Sequence, residues 1–300
     1  MTNIFGKLIL ASALAAFGAS ALPAQTGKAV RRTMTCPIGG GSFEFSSPGS
    51  IVSWGERPDG KPYGSFPMAL PECPANGLVL YKDYEPAEVA KLEPLIASDA
   101  YQALRKDVPF YRAYWLMTQM GVPAGARLIA LQRATWAAEG TPEQRARYLA
   151  EFAEETAKLP RKPEDVNWIG MEGRAINALR ELGRFDEAAA RLKALPLSAL
   201  VVAEPKANDR SDAANQARAR RNWHGYLESL KTVVARADSS LEPFEILPRR
   251  EWVGRCIDGK GLSEAQQAYC DAQAPVVEEA RAAATKLQQE MKLLGDKSGR

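Results

Sequence analysis

The sequence predicts a mainly α fold, a stack of paired helices behind a small β module clipped by cysteines. Short β-rich runs and turn residues fill residues 33–84, and from Glu85 apolar residues recur every three or four positions. Two similar turns, Cys36-Pro37-Ile38-Gly39-Gly40 and Cys73-Pro74-Ala75-Asn76-Gly77, bracket the β-rich part. Composition is that of an ordinary globular chain, with 46% hydrophobic and 25% charged residues. The expected organisation is a leader over 1–24, the β module over 25–84, a helical stack over 85–196 and a helical region over 197–300.

Residues 1–24 read as a secretory signal peptide: Lys7, an apolar run from Leu8 to Phe17, then Ala19-Ser20-Ala21 as a cleavage site. The run is shorter than the roughly 20 apolar residues that span a bilayer. The expected location is therefore periplasmic or secreted, with no membrane attachment after cleavage. The formal net charge of +3 creates no field strong enough to imply nucleic acid as a partner.

In the module, Gly39-Gly40-Gly41, Pro48-Gly49 and Pro58-Asp59-Gly60 punctuate three strand-like runs: Ser42–Phe45, Ser50–Trp54 and Leu78–Tyr81. Trp54, Tyr63 and Phe66 are its aromatics, suited to a ligand-binding lip or to packing on the helices. Each cysteine turn has the form of a zinc knuckle, Cys-Pro-x-Cys-Gly, with Gly39 or Asn76 where the second cysteine would stand. In an exported chain four cysteines make two disulfides, and chain proximity favours Cys36–Cys73 and Cys256–Cys270. The chain-entropy model gives each roughly 3–4 kcal/mol. The rival arrangement gathers all four around one zinc; no metal or other cofactor is expected.

The helices follow in order. Pro86 opens one with Val89, Leu92 and Ile96 on a face. The next carries Tyr111, Tyr114, Trp115 and Met117 and stops at Gly121. Pro123 starts a third with Leu128, Leu131, Ala134 and Trp136. Thr141-Pro142-Glu143-Gln144 reads as a capping box before Tyr148, Leu149, Phe152 and Ala153. Such aromatics at helical spacing build either a core or a groove; Tyr111, Trp115 and Trp136 are the candidate groove residues.

Ala178-Leu179-Arg180-Glu181-Leu182-Gly183-Arg184-Phe185-Asp186-Glu187-Ala188, running on to Leu195-Pro196, resembles the turn and second helix of a tetratricopeptide repeat. Gly183 serves the tight turn, Phe185 and Ala188 pack between helices, and Pro196 ends the unit. The resemblance implies a tetratricopeptide-like helical stack presenting a face to peptides or proteins.

Beyond it, Leu200-Val201-Val202 reads as a short strand or extended crossing, and a polar loop over 208–215 leads into a long helix ending near Ala237. Arg218, Arg220 and Arg221 cluster beside Trp223 and His224, the only histidine. Arg218, Arg221 and His224 are the candidate anion site, with His224 as acid or base. A solvated helix face is the plainer reading. Ser263, followed by Glu264 and Gln266, caps a terminal helix.

No Gly-x-Ser-x-Gly elbow, phosphate loop or His-Glu-x-x-His pair occurs. The doubled cysteine turns, with Asn76-Gly77-Leu78-Val79-Leu80-Tyr81-Lys82-Asp83 and a helical tail, resemble an uncharacterised bacterial family with a zinc-ribbon-like start and a tetratricopeptide-like stack. That resemblance implies architecture and no activity. The expected function is binding or scaffolding of a protein or peptide partner, more in keeping with these residues than an enzyme using the arginine and histidine cluster.

Overall fold

The two cysteine turns fold alike. Cys36 N–H donates to Gly41 O at 2.9 Å and its carbonyl accepts from Gly40 N at 3.2 Å. The second turn repeats both bonds, Cys73 N to Leu78 O at 2.9 Å and Gly77 N to Cys73 O at 2.8 Å. Gly40 and Gly77 take φ of +68° and +73°, open to glycine at no steric cost. The turns face one another across the Cys36–Cys73 disulfide, with Cα atoms 5.7 Å apart. Asn76, in the vacant cysteine place, donates to Ile38 O at 3.1 Å and accepts from Leu78 N at 3.0 Å, so its side chain ties the two turns together.

The computed structural model describes residues 29–50, 52–65 and 69–298. The expected leader and Phe66 lie outside them. Strand β1 (Ala29–Thr35) pairs antiparallel with β2 (Ser42–Pro48), the first cysteine turn joining them. Strand β3 (Val52–Glu56) pairs with β4 (Pro62–Ser65) in a second two-stranded sheet. The strand expected at Leu78–Tyr81 does not form. That run makes only a bridge from Val79 to Glu72, because Leu78 and Val79 are both fully buried and leave no alternation of faces.

Eleven α-helices follow among the described residues. Helix α1 is Pro86–Ala97, α2 Asp99–Ala103, α3 Pro109–Gln119, α4 Ala124–Ala137, α5 Pro142–Ala157, α6 Val166–Glu181, α7 Phe185–Ala194 and α8 Asp212–Ala235. The last three are α9 Arg249–Asp258, α10 Glu264–Ala272 and α11 Ala274–Ser298. The fold is mainly α with a small N-terminal β module. The expected starts at Pro86, Pro123 and Pro142 hold to within a residue, and Gly121 and Gly183 both turn with positive φ. The capping box at Thr141 does not form: Gln144 donates instead to Lys106 O, which ends a preceding 3-10 turn. Leu200 closes a 3-10 turn over 197–200 and is buried, and Val201 goes on exposed in extended, unpaired backbone, so of the two expected forms the strand is the one that does not form.

Helices α3 to α8 pack each on its chain neighbour, and α8 packs on both α6 and α7. The short connections from α3 to α7 make those neighbours antiparallel, and α8 follows a longer segment, 195–211, to pack on α6 and α7. One core cluster joins α3 to α6 through Phe110, Leu128, Leu131, Tyr148 and Phe152, and the next joins α5 to α8 through Ile169, Ile176, Leu192, Leu227 and Leu230. Cys36 and Cys73 seal the front cluster with Leu92, Tyr101 and Leu116. Cys256 and Cys270 form the second disulfide in a separate cluster with Phe244, Trp252 and Val277. The four cysteines thus sit as two distant pairs, not around one metal. Ser263 caps as expected, with a reciprocal bond from Gln266, but the terminal helix breaks at Gln273 into α10 and α11. No helix among the described residues is long and apolar enough to cross a membrane.

Candidate functional site

The tip of the β3–β4 hairpin, Arg57-Pro58-Asp59-Gly60, is buried against the helical stack. A polar turn pays for burial only when its backbone groups find partners. Here three successive carbonyls are met by side chains from alternate helices. Arg57 O accepts from Arg174 of α6 at 3.3 Å. Pro58 O accepts from Arg174 at 2.6 Å and from the Tyr226 hydroxyl of α8 at 2.7 Å. Asp59 O accepts from Gln132 at 2.8 Å and from the Trp136 indole at 3.2 Å, both on α4. The stack thus holds a tight turn of its own chain by three backbone carbonyls.

Charges lock the tip. The Asp59 carboxylate accepts from Arg57, from Lys61 N and from Arg145, and Arg145 also donates to Glu181 at 2.6 Å. Glu181 takes a second bond from Asn177 at 2.7 Å. Its burial pushes its carboxyl above the usual carboxylate range, although Arg145 opposes the shift. Arg180 is fully buried and donates to Asp238 O and Ser240 O, pinning the segment after α8 to the same end of α6.

Beside the tip opens a cleft of about 690 Å³, within the size range of ligand sites. Its walls come from α4 (Ile129, Gln132, Trp136), from the α5–α6 connection (Leu159, Pro160, Lys162, Asp165), from α6 (Trp168, Met171, Arg174) and from Trp223 of α8. Glycines let the helices close up here. A Cβ on Gly170 would stand 2.7 Å from the Trp223 ring, and one on Gly173 3.2 Å from it. The indole therefore packs directly on the bare backbone of α6. The Arg174 guanidinium covers Trp223 at 5.1 Å and Tyr226 at 5.2 Å, while those two rings meet edge to face at 5.4 Å. Burial also pushes the Tyr226 hydroxyl up to about 12, against the opposing charge of Arg174.

Of the expected groove residues, Trp136 alone lines this cleft. Tyr111 is in the core, stacked on Tyr148 at 4.4 Å with its hydroxyl on Glu151 at 2.8 Å. Trp115 packs against Tyr101 at 5.7 Å, beside the front disulfide. Tyr111 and Trp115 serve different clusters and neither lines the cleft that Trp136 lines, so the three do not form one groove. Trp54 donates to Glu251 at 2.7 Å beneath Arg250, and Tyr63 donates to Glu242 at 2.7 Å, so this hairpin also bridges to the C-terminal region.

Arg218 and Arg221 do come together, lining a cavity of about 340 Å³ with Arg210 and Asn222. Their guanidiniums are engaged by the adjoining loop: Arg218 donates to Asp209 O at 2.6 Å, Arg221 to Val202 O at 3.2 Å and to Glu204 at 3.3 Å. His224 does not line that cavity. Sequence reasoning passed over Trp168, Met171 and Arg174. The available signal was Gly170 and Gly173, three apart inside a helix, which marks a close approach by another element.

No protein-family model, curated protein or solved structure matches this chain.

Proposed function

We propose that the protein is an exported binding protein that holds an extended segment of a protein partner in the cleft between α4, α6 and α8. The observation that carries this reading is the buried hairpin tip, whose Arg57, Pro58 and Asp59 carbonyls are read by side chains of those same three helices. The adjoining cleft continues that surface and is walled by tryptophan, methionine and isoleucine, with charged groups at its rim. Alternate helices of a tetratricopeptide-like stack offer such a face to peptides, and the turn at Gly183 fits that class. The two disulfides suit an oxidising compartment, periplasmic or extracellular. Neither disulfide lies in the cleft, so both serve as staples for the scaffold.

The test is a screen of immobilised twelve-residue peptides against the full chain and against Met171→Lys. Recognition of a defined peptide subset, lost in the variant while its Tm stays within a few degrees, is the expected result. Equal binding of both proteins to the same peptides would remove the cleft from the account.

A further inference from the structure

We infer that the cavity beside the first turns of α8 binds a phosphate group, held by Arg210, Arg218 and Arg221. It shares no lining residue with the cleft, so the inference is independent of the peptide-binding reading. Arg218, Arg221 and Asn222 stand three and four residues apart on one face of α8, while Glu204, Pro205, Ala207 and Arg210 come from the segment ahead of that helix. Two of the arginines are fixed largely by neutral groups. Arg218 donates through Nη2 to Asp209 O at 2.6 Å and to the Asn215 amide oxygen at 2.8 Å, and Arg221 through Nη1 to Val202 O at 3.2 Å. A carbonyl orients a guanidinium and leaves its charge in place. Nε and Nη1 of Arg218 and Nε of Arg221 have no partner among the described residues, and neither does any side-chain nitrogen of Arg210. Arg210 and Arg221 are exposed and Arg218 is half-buried, so a solute can reach all three.

Charge sets these arginines apart. Elsewhere in the fold arginines meet shielded carboxylates, as Arg112 meets Glu72, Arg191 meets Glu172 and Arg255 meets Glu242. Here the wall carries three arginines and a single acid. That acid, Glu204, lies 3.3 Å from Arg221 with its side chain 78% exposed, a setting in which an ion pair contributes little. The neighbouring Asp209 and Asp212 do not line the cavity, and the Asp209 carboxylate accepts from Ser211 N at 2.9 Å. Arg220 is outside the wall as well, donating to Glu164 O at 2.8 Å. A carboxylate ligand would bring two oxygens and one charge. A phosphate group brings three acceptor oxygens and close to two charges, which matches the excess on the wall. The planar fork of a guanidinium also fits phosphate oxygens in pairs. No aromatic ring lines the cavity to stack a base, and its volume of about 340 Å³ suits a small ligand. The ligand class is therefore inorganic phosphate or a small phosphomonoester, such as a sugar phosphate whose hydroxyls would meet Asn222.

The experiment is calorimetric titration of the full chain with inorganic phosphate, glucose 6-phosphate and glucose, in about 0.15 M sodium chloride so that unspecific attraction is screened. Both phosphates are expected to bind, and glucose is not. Tighter binding of glucose 6-phosphate would mark an ester as the ligand, and binding of inorganic phosphate at least as tightly would mark the free ion; either result upholds the site. Arg210→Gln breaks no side-chain contact among the described residues. It should weaken phosphate about tenfold at unchanged Tm. Glu204→Gln, which removes the wall's negative charge, should tighten phosphate several-fold, an effect that a merely structural role would not produce. The inference is overturned if neither phosphate binds in the millimolar range, if glucose binds as tightly as its phosphate, or if Arg210→Gln leaves the affinity unchanged.

Discussion

Arg174 donates to the carbonyl of Pro58 at 2.6 Å. The two residues lie far apart in sequence, one at a hairpin tip and one in the middle of α6, and their contact joins the β module to the stack. The same guanidinium covers Trp223 and Tyr226, so tip and cleft share one organising side chain. A cation over an aromatic face is held in a fixed plane, and a fixed plane directs its N–H donors.

Asp59 should be the costliest side chain of the tip. Its carboxylate is 4% exposed and neutralises Arg57 and Arg145. Asp59→Ala leaves those charges buried with less compensation, a change that costs about 3–5 kcal/mol. Urea unfolding is the measurement, and a loss below about 1 kcal/mol would show that the turn is held by its backbone alone.

The Tyr226 contact should weaken at high pH. Its hydroxyl titrates near 12 in the folded protein, above the ordinary tyrosine value of about 10. The folded state thus holds the proton more tightly than the unfolded state. The stabilisation it gives is complete below pH 10 and is lost as pH rises from 10 to 12. Tyr226→Phe should cost about 1 kcal/mol at neutral pH for the lost bond to Pro58. Unfolding followed at several pH values should show that gap closing above pH 10.

Gly170→Ala tests the close approach behind the cleft. The new methyl would fall 2.7 Å from the Trp223 ring, forcing the indole or α6 to move. Overpacking of this kind costs about 1–3 kcal/mol. The better helix propensity of alanine would otherwise stabilise by up to about 1 kcal/mol, so the sign of the change decides whether the indole is seated there. Thermal unfolding with near-ultraviolet circular dichroism reads both effects.

The two disulfides should differ in worth. Their cysteines are separated by 37 and 14 residues. Loop-closure entropy then gives about 4 kcal/mol for Cys36–Cys73 and about 3 kcal/mol for Cys256–Cys270. Paired alanine variants compared by urea unfolding check the order, and a larger loss from the C-terminal pair would contradict it.

Much of the fold was legible because it follows local rules. Pro86, Pro123 and Pro142 mark helix starts, Gly121 and Gly183 mark turns, and apolar spacing marks buried faces such as Leu128, Leu131 and Ala134. Cysteine proximity also selected the observed pairs. The misses share a cause, tertiary competition for a side chain. Gln144 left the capping box for Lys106 O, and Leu78-Val79 became buried core instead of strand. The site was the least legible part, since it joins β3, α4, α6 and α8 across more than a hundred residues. Tyr111 and Trp115 have the same spacing whether they face a groove or a core. Only packing distinguishes these, and it put Tyr111 in the core and Trp115, half-buried, against the front cluster.

The most direct measurement is a proton–nitrogen correlation spectrum of the six tryptophan indoles during titration with a peptide selected in the screen. Trp168 and Trp223 line the cleft, whereas the Trp136 indole already donates to Asp59 O and the Trp54 indole to Glu251. Saturable shifts led by the Trp168 and Trp223 indole signals are the expected result. Peptide binding that leaves both signals in place would contradict the assignment of this cleft as the binding site.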